Sequence, residues 1–274
     1  MKKLGKIAAV TLLSAALLAA CTPKKEEAHD AHGAHSDHGA ASPAIETKAS
    51  WKLSAAQPQA NQPTNIAIQI NDAKGAPIEK FDVSHEKQMH LIVVSKDLSY
   101  FDHIHPEYKQ KGLFEVGTTF PKNGEYKLIA DFVPSGGQPR TETNWIQVGA
   151  EKPAAPAPIK QGSSLTQTAQ GIEVTLSFDK LQSGQPVQMK FSFKDAKTKE
   201  PIKNLQPYLG AVGHVVIISG DVEQYIHNHP IDEKATGPDA KFSTSFPKSG
   251  VYKIWGQFQH NGKVFTVPYV VQVP

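Results

Sequence analysis

HLIVVSKDLSYFDHIHP, residues 90–106, returns as HVVIISGDVEQYIHNHP at residues 214–230, and that recurrence decides how the chain is built. Both copies read His, twelve residues, His, one residue, His-Pro, with six of seventeen positions identical and most of the others trading one apolar residue for another. A second block follows each copy, FPKNGEYK at 120–127 and FPKSGVYK at 246–253, with six of eight positions shared. Upstream, Gln62-Pro63 lies 28 residues before His90, and Gln185-Pro186 lies 29 before His214. The chain therefore reads as two copies of one domain of roughly 100 residues, a size that supports one core each.

The 274 residues, 39% of them apolar, suffice for two cores, and 20 Gly with 20 Pro favour many short strands over long helices. The first 20 residues stand apart from any fold. Lys2, Lys3 and Lys6 precede an apolar run over 7–20 that is too short to span a bilayer as a helix, which reads as a signal peptide. It closes with Leu18-Ala19-Ala20-Cys21, which resembles the lipobox of bacterial lipoproteins. That resemblance implies that Cys21 becomes the lipidated first residue, bearing acyl chains such as palmitate and holding the protein on the extracytoplasmic side of a cell or outer membrane. The other reading is an ordinary signal peptide with a leftover cysteine. With one cysteine in the chain there is no disulfide, and a lipidated Cys21 leaves no thiolate for a nucleophile or a blue-copper centre. Loss of the three leader lysines takes the formal charge from +3 to about zero, so nucleic acid is not an expected partner.

Residues 21–45 are rich in Ala, Gly, His and acidic groups without periodic apolar positions, and are expected to form a disordered tether. It carries His29, His32, His35 and His38, spaced every three, so that a flexible segment can wrap several imidazoles around one ion. Residues 46–149 form the first repeat, 150–164 a Pro/Ala linker and 165–274 the second repeat. Ile66, Ile68 and Ile70 alternate with polar neighbours, as do Ile172, Val174, Leu176 and then Val187, Met189, Phe191, Phe193. The continuous run at 91–94 predicts a strand covered on both faces. With seven or eight short strands per repeat and no helical pattern, the fold class is all-β, two tandem immunoglobulin-like β-sandwich domains.

A hairpin over 90–105 with its turn at Asp97-Leu98 would place His90 opposite His105 and His103 opposite Ile92. Side chains alternate along a strand, so His90, His103 and His105 then project from one face, with cross-strand Cβ atoms about 4.5–5.5 Å apart. Three imidazoles so placed can share one ion at about 2.0–2.1 Å per bond. The second copy predicts the same for His214, His227 and His229, with its turn at Asp221-Val222. Met89, Asp102, Glu107 and His85 are candidate extra ligands of the first trio, and Met89 there tilts the choice toward copper. Tyr100, Tyr126, Tyr225 and Tyr252 read as core or edge aromatics.

PYLGAVGH at 207–214, YIHNHP at 225–230 and FPKSGVYK at 246–253 resemble the YtkA-like domains of bacterial secreted proteins and lipoproteins. The likeness covers about the last 110 residues, and the first repeat departs from it over 84–89, SHEKQM. Such domains are often found with copper or heavy-metal handling genes, which implies an envelope metal-handling protein as partner. The function expected is copper or zinc buffering or delivery, a binding role and not an enzymatic one. The alternatives are a surface module for a protein or polysaccharide with structural histidines, and a metal-dependent hydrolase in which the ion activates water.

Overall fold

A computed structural model describes residues 45–150, 157–162 and 164–274; the leader, Cys21 and the four tether histidines lie outside the described residues, as does part of the linker. The first repeat holds β1 (Thr47–Leu53), β2 (Pro63–Asp72), β3 (Phe81–Asp82), β4 (Met89–Ser95), β5 (Phe101–Ile104), β6 (Glu107–Tyr108), β7 (Leu113–Thr119), β8 (Gly124–Pro134) and β9 (Arg140–Val148). The second holds β10 (Thr166–Ala169), β11 (Ile172–Phe178), β12 (Pro186–Asp195), β13 (Gly213–Ser219), β14 (Tyr225–Asn228), β15 (Asp239–Ser245), β16 (Gly250–His260) and β17 (Lys263–Val273). The described chain is all-β, two tandem immunoglobulin-like sandwiches.

In the first sandwich the sheet β1-β2-β7-β6 faces the sheet built from β3-β8-β4-β5, with β9 added on β8. In the second, β10-β11-β12-β15 faces β14-β13-β16-β17. Alternation does what the sequence predicts. Ile66, Ile68 and Ile70 of β2 enter one core with Phe114, Phe120 and Tyr126, while Val187, Met189, Phe191 and Phe193 of β12 enter the other. Removing side chains of this size from water contributes about 1.5–3 kcal/mol each, which is why the pattern of every second residue fixes the strands.

The run over 91–94 is covered on both faces for a reason the single repeat does not contain. Met89, Leu91 and Val93 face their own core, whereas Ile92 and Val94 point out of the sandwich. They meet Val216, Ile218, Val222 and Trp255 of the second repeat, with Leu98 and Ile129, in a third apolar cluster. The β4 and β13 sheets therefore pack on each other, and the described residues of the two repeats make one compact unit.

Candidate metal centre

The strand period that sends Ile92 and Val94 into the inter-sandwich cluster also sends His90 there, one step further along β4. β5 pairs with β4 through Leu91↔Ile104, Ile92↔His103 and Val94↔Phe101, the register expected for a turn at Asp97-Leu98. One more step places His90 across from His105. The second hairpin matches it, with Val215↔Asn228 and Val216↔His227. On the other side of each histidine strand lies the central strand, which sets Asp131 opposite His90 and Gln257 opposite His214.

Both hairpins open onto the same space, so the histidines of the two repeats meet. His90, His103 and His105 form one group and His85, His214 and His229 another, and within each group one ring nitrogen per residue lies within 4.8 Å of the others. The groups adjoin, since the His214 ring is 6.3 Å from His90 and 6.2 Å from His103, centroid to centroid. His227 stands between them, 5.4 Å from His90, 5.7 Å from His214 and 4.9 Å from His229.

Four of the rings are held from outside by a group that requires an N–H. His90 Nε2 donates to the Ser84 carbonyl (2.9 Å) and His214 Nε2 to the Tyr208 carbonyl (3.1 Å). His103 Nδ1 donates to Gln257 Oε1 (2.7 Å), and His227 Nδ1 donates to Asp131 Oδ2 (3.0 Å), each reaching across to the other sandwich. A neutral imidazole has one N–H, so the inner nitrogens carry lone pairs. Among the described residues, His105 Nε2, His214 Nδ1 and His227 Nε2 are buried without a hydrogen-bond partner. His90 Nδ1 and His103 Nε2 face each other at 2.9 Å, and with the Gln257 amide oxygen turned to His103 Nδ1 both of these inner nitrogens carry lone pairs.

Protonation does not readily relieve that opposition. Burial lowers His90 to about 4 and His103 well below the usual imidazole value, and the neighbouring rings reinforce the shift on His103. His105 falls to about 3 and His214 to about 2, again chiefly through desolvation. His85 and His229 are lowered by the same cause, though His229 lies at the exposed rim. Neutral rings with outer N–H groups anchored to carbonyl or carboxylate oxygens and inner lone pairs converging are the arrangement that metal-bound histidines adopt. The residues fit a cation held by imidazole.

The trio expected within the second repeat groups differently in space. His85 of the first repeat joins His214 and His229, while His227 turns to Asp131. Of the other extra ligands considered, Met89 is fully buried in its own sandwich core, on the opposite strand face from His90. Asp102 accepts from the Tyr100 hydroxyl (3.3 Å), and Glu107 is exposed beside Lys109 (2.6 Å). His85, a candidate extra ligand of the first trio, lies instead with His214 and His229, an outcome that neither repeat taken alone signals because those partners belong to the other copy. Tyr126 and Tyr252 are core residues, edge to face or tilted against Phe120 and Phe246, while Tyr225 donates to Asp131 (3.3 Å).

No curated protein matches the chain. Among solved structures it is similar to the Escherichia coli adhesin FdeC, at 16% identity and TM-score 0.28, covering 82% of this chain and 64% of that one. It is similar to the Yersinia pseudotuberculosis adhesin InvE at 11% and 0.25, covering 82% and 59%, and to a two-domain fibronectin type III segment of chicken tenascin at 12% and 0.22, covering 82% and 98%. The chain thus spans less than two thirds of either adhesin structure, and superpositions this loose carry nothing about the site. A family profile matches residues 44–150 and again 167–274. The chain therefore belongs to the family described as Domain of unknown function (DUF8832), of which it carries two tandem copies.

Proposed function

We propose that this chain is a lipid-anchored, extracytoplasmic metal-binding protein that buffers or delivers copper or zinc. The ion is held between the sandwiches, and His29, His32, His35 and His38 act as a collector on the tether. The observation that carries this reading is the facing pair His90 Nδ1 and His103 Nε2, only 2.9 Å apart, each left with a lone pair when its outer nitrogen donates to Ser84 or Gln257. Two lone pairs at that distance repel unless a cation lies with them. An all-imidazole donor set suits zinc and copper alike, and with Met89 turned into the core no sulfur tilts the choice toward copper. The resemblance to YtkA-like domains points the same way and suggests an envelope metal-handling protein as partner. Asp131, already engaged by His227 and Tyr225, is poorly placed to serve as a general base, which favours binding over catalysis.

The test is metal content and thermal stability of the chain with its four tether histidines replaced by Ala, with and without His103→Ala and His105→Ala together. Retained stoichiometric zinc or copper is expected in the parent, with stabilisation of about 2.7 kcal/mol once free ion exceeds the dissociation constant a hundredfold. The double variant is expected to lose at least tenfold in affinity. Uptake indifferent to the double variant, or a melting temperature indifferent to the ion, would remove the proposal.

A further inference from the structure

His227 is the one ring of the seven-histidine cluster that belongs to neither three-histidine group, yet its Nε2 is buried and has no partner. It lies 5.4 Å from His90 and 5.7 Å from His103 in one group, and 5.7 Å from His214 and 4.9 Å from His229 in the other. Asp131, from the opposite sandwich, fixes the ring through Nδ1, so the free nitrogen is oriented from across the interface. A ring placed midway with its lone pair unclaimed can serve an ion in either group.

The charge around this space is small. Asp131 is the carboxylate bonded to a ring of the cluster; Glu233 acts on His85 from the exposed rim, and Lys87 acts on His105 with the opposite sign. The groups acting on the rings are thus few and of mixed sign, and Asp131 is the carboxylate in direct contact with a ring. Repulsion between two ions grows as the product of their charges, so a pair of dications repels about four times as strongly as a pair of monocations at the same separation. The adjoining groups, with rings 6.2 and 6.3 Å apart across the boundary, lie too close for solvent to screen that difference away.

Resting on the metal-binding reading, we propose that the two groups are one coupled chamber in which His227 is the shared ligand, and that this chamber takes two soft monovalent cations but only one divalent ion tightly. Asp131 is then a positioning residue whose charge counts more for a dication than for a monocation.

The experiment titrates the tether-substituted chain with zinc(II) and, separately, silver(I), using chelator competition to obtain affinities and native mass spectrometry to count ions. One tight zinc is expected, with a second at least about 100-fold weaker, against two silver ions of affinities within about tenfold. Asp131→Asn should weaken the first zinc by more than about tenfold and silver by less than about threefold, a split that a merely structural loss would not give. His227→Ala should weaken whichever ion binds first. Two zinc ions of equal affinity, equal effects of Asp131→Asn on both metals, or an inert His227→Ala would each overturn the coupling while leaving metal binding intact. Failure to take up either ion would remove the proposed function itself.

Discussion

Burial sets the protonation state of the chamber rings, and with it two pH dependences. In the metal-free chain His90 and His214, 3% and 0% exposed, have folded values lowered to about 4 and about 2, against about 6.5 when unfolded. The unfolded state therefore binds more protons below pH 6.5, and stability falls as the solution is acidified, by about 1.4 kcal/mol per pH unit for each such ring. The loss should begin near pH 6.5 and continue to about 4. Asp221 does not share that window, since the Ser219 hydroxyl holds its carboxyl down to about 2 and its contribution is lost only below the ordinary carboxylate range. Urea melts of the metal-free chain at pH 7, 6 and 5 check this; a flat profile would contradict buried neutral rings. Metal release follows the same logic. Tether imidazoles should let go as pH falls through about 6.5, whereas chamber rings resist protonation until about pH 4 or below, so a loaded full-length chain should release ions in two steps.

The turn joining Ser84 to Lys87 shows how a short element places a ligand. Its central residues, His85 and Glu86, have φ of 48° and 65°, the left-handed region that L-residues enter at a cost of about 1–2 kcal/mol each. The second repeat builds the same turn from Leu209 and Gly210, φ 51° and 77°, and so presents no ring to the first group. Strain of this kind collects where a side chain must be aimed. His85→Gly should therefore raise the metal-free stability by about 0.5–1 kcal/mol, after allowing for the extra freedom of unfolded glycine, while weakening the His214–His229 group. Opposite signs in a thermal melt and a zinc titration would show it; loss of both would mean that the ring is structural. The start of β13 carries the converse constraint. A Cβ on Gly213 would lie 2.4 Å from Phe258 Cδ1 and 2.6 Å from the Gln257 carbonyl oxygen, so the strand can lie on β16 there only without a side chain. Gly213→Ala is expected to cost about 1–3 kcal/mol in chemical denaturation and to disturb His214 beside it.

Across the whole molecule the contacts between the sandwiches come in matched pairs. Lys127 Nζ donates to the Val222 carbonyl (2.6 Å), and Lys253 Nζ donates to the Leu98 carbonyl (2.7 Å). His103 reaches Gln257 as His227 reaches Asp131. Phe101 stacks on Trp255 at 4.7 Å, beside the apolar cluster that both sheets share. The interface is thus a core in its own right, and the chamber is a rigid consequence of it. Trp255→Ala should cost about 3–5 kcal/mol and also weaken zinc binding, although the indole belongs to neither histidine group. A variant that binds zinc unchanged would show that the chamber does not depend on this packing.

The sequence by itself determined the duplication, the all-β class and the alternation of strand faces, because each follows from the repeat or from a period of two, whereas the hairpin register rests on an assumed turn and is supplied by the strand pairing. It also marked six of the seven chamber histidines through the H-x12-H-x-H-P spacing, which places three side chains on one face of a hairpin, and offered His85 only as an extra ligand of the first trio. It read residues 91–94 as covered on both faces but contained no sign of what covers them. Only the tertiary structure decided that the two histidine faces meet, that His85 crosses to His214 and His229, that His227 goes to Asp131, and that Met89 turns inward. Those outcomes depend on how one folded sheet packs against another, and such packing joins residues 95 or more positions apart that no local pattern connects.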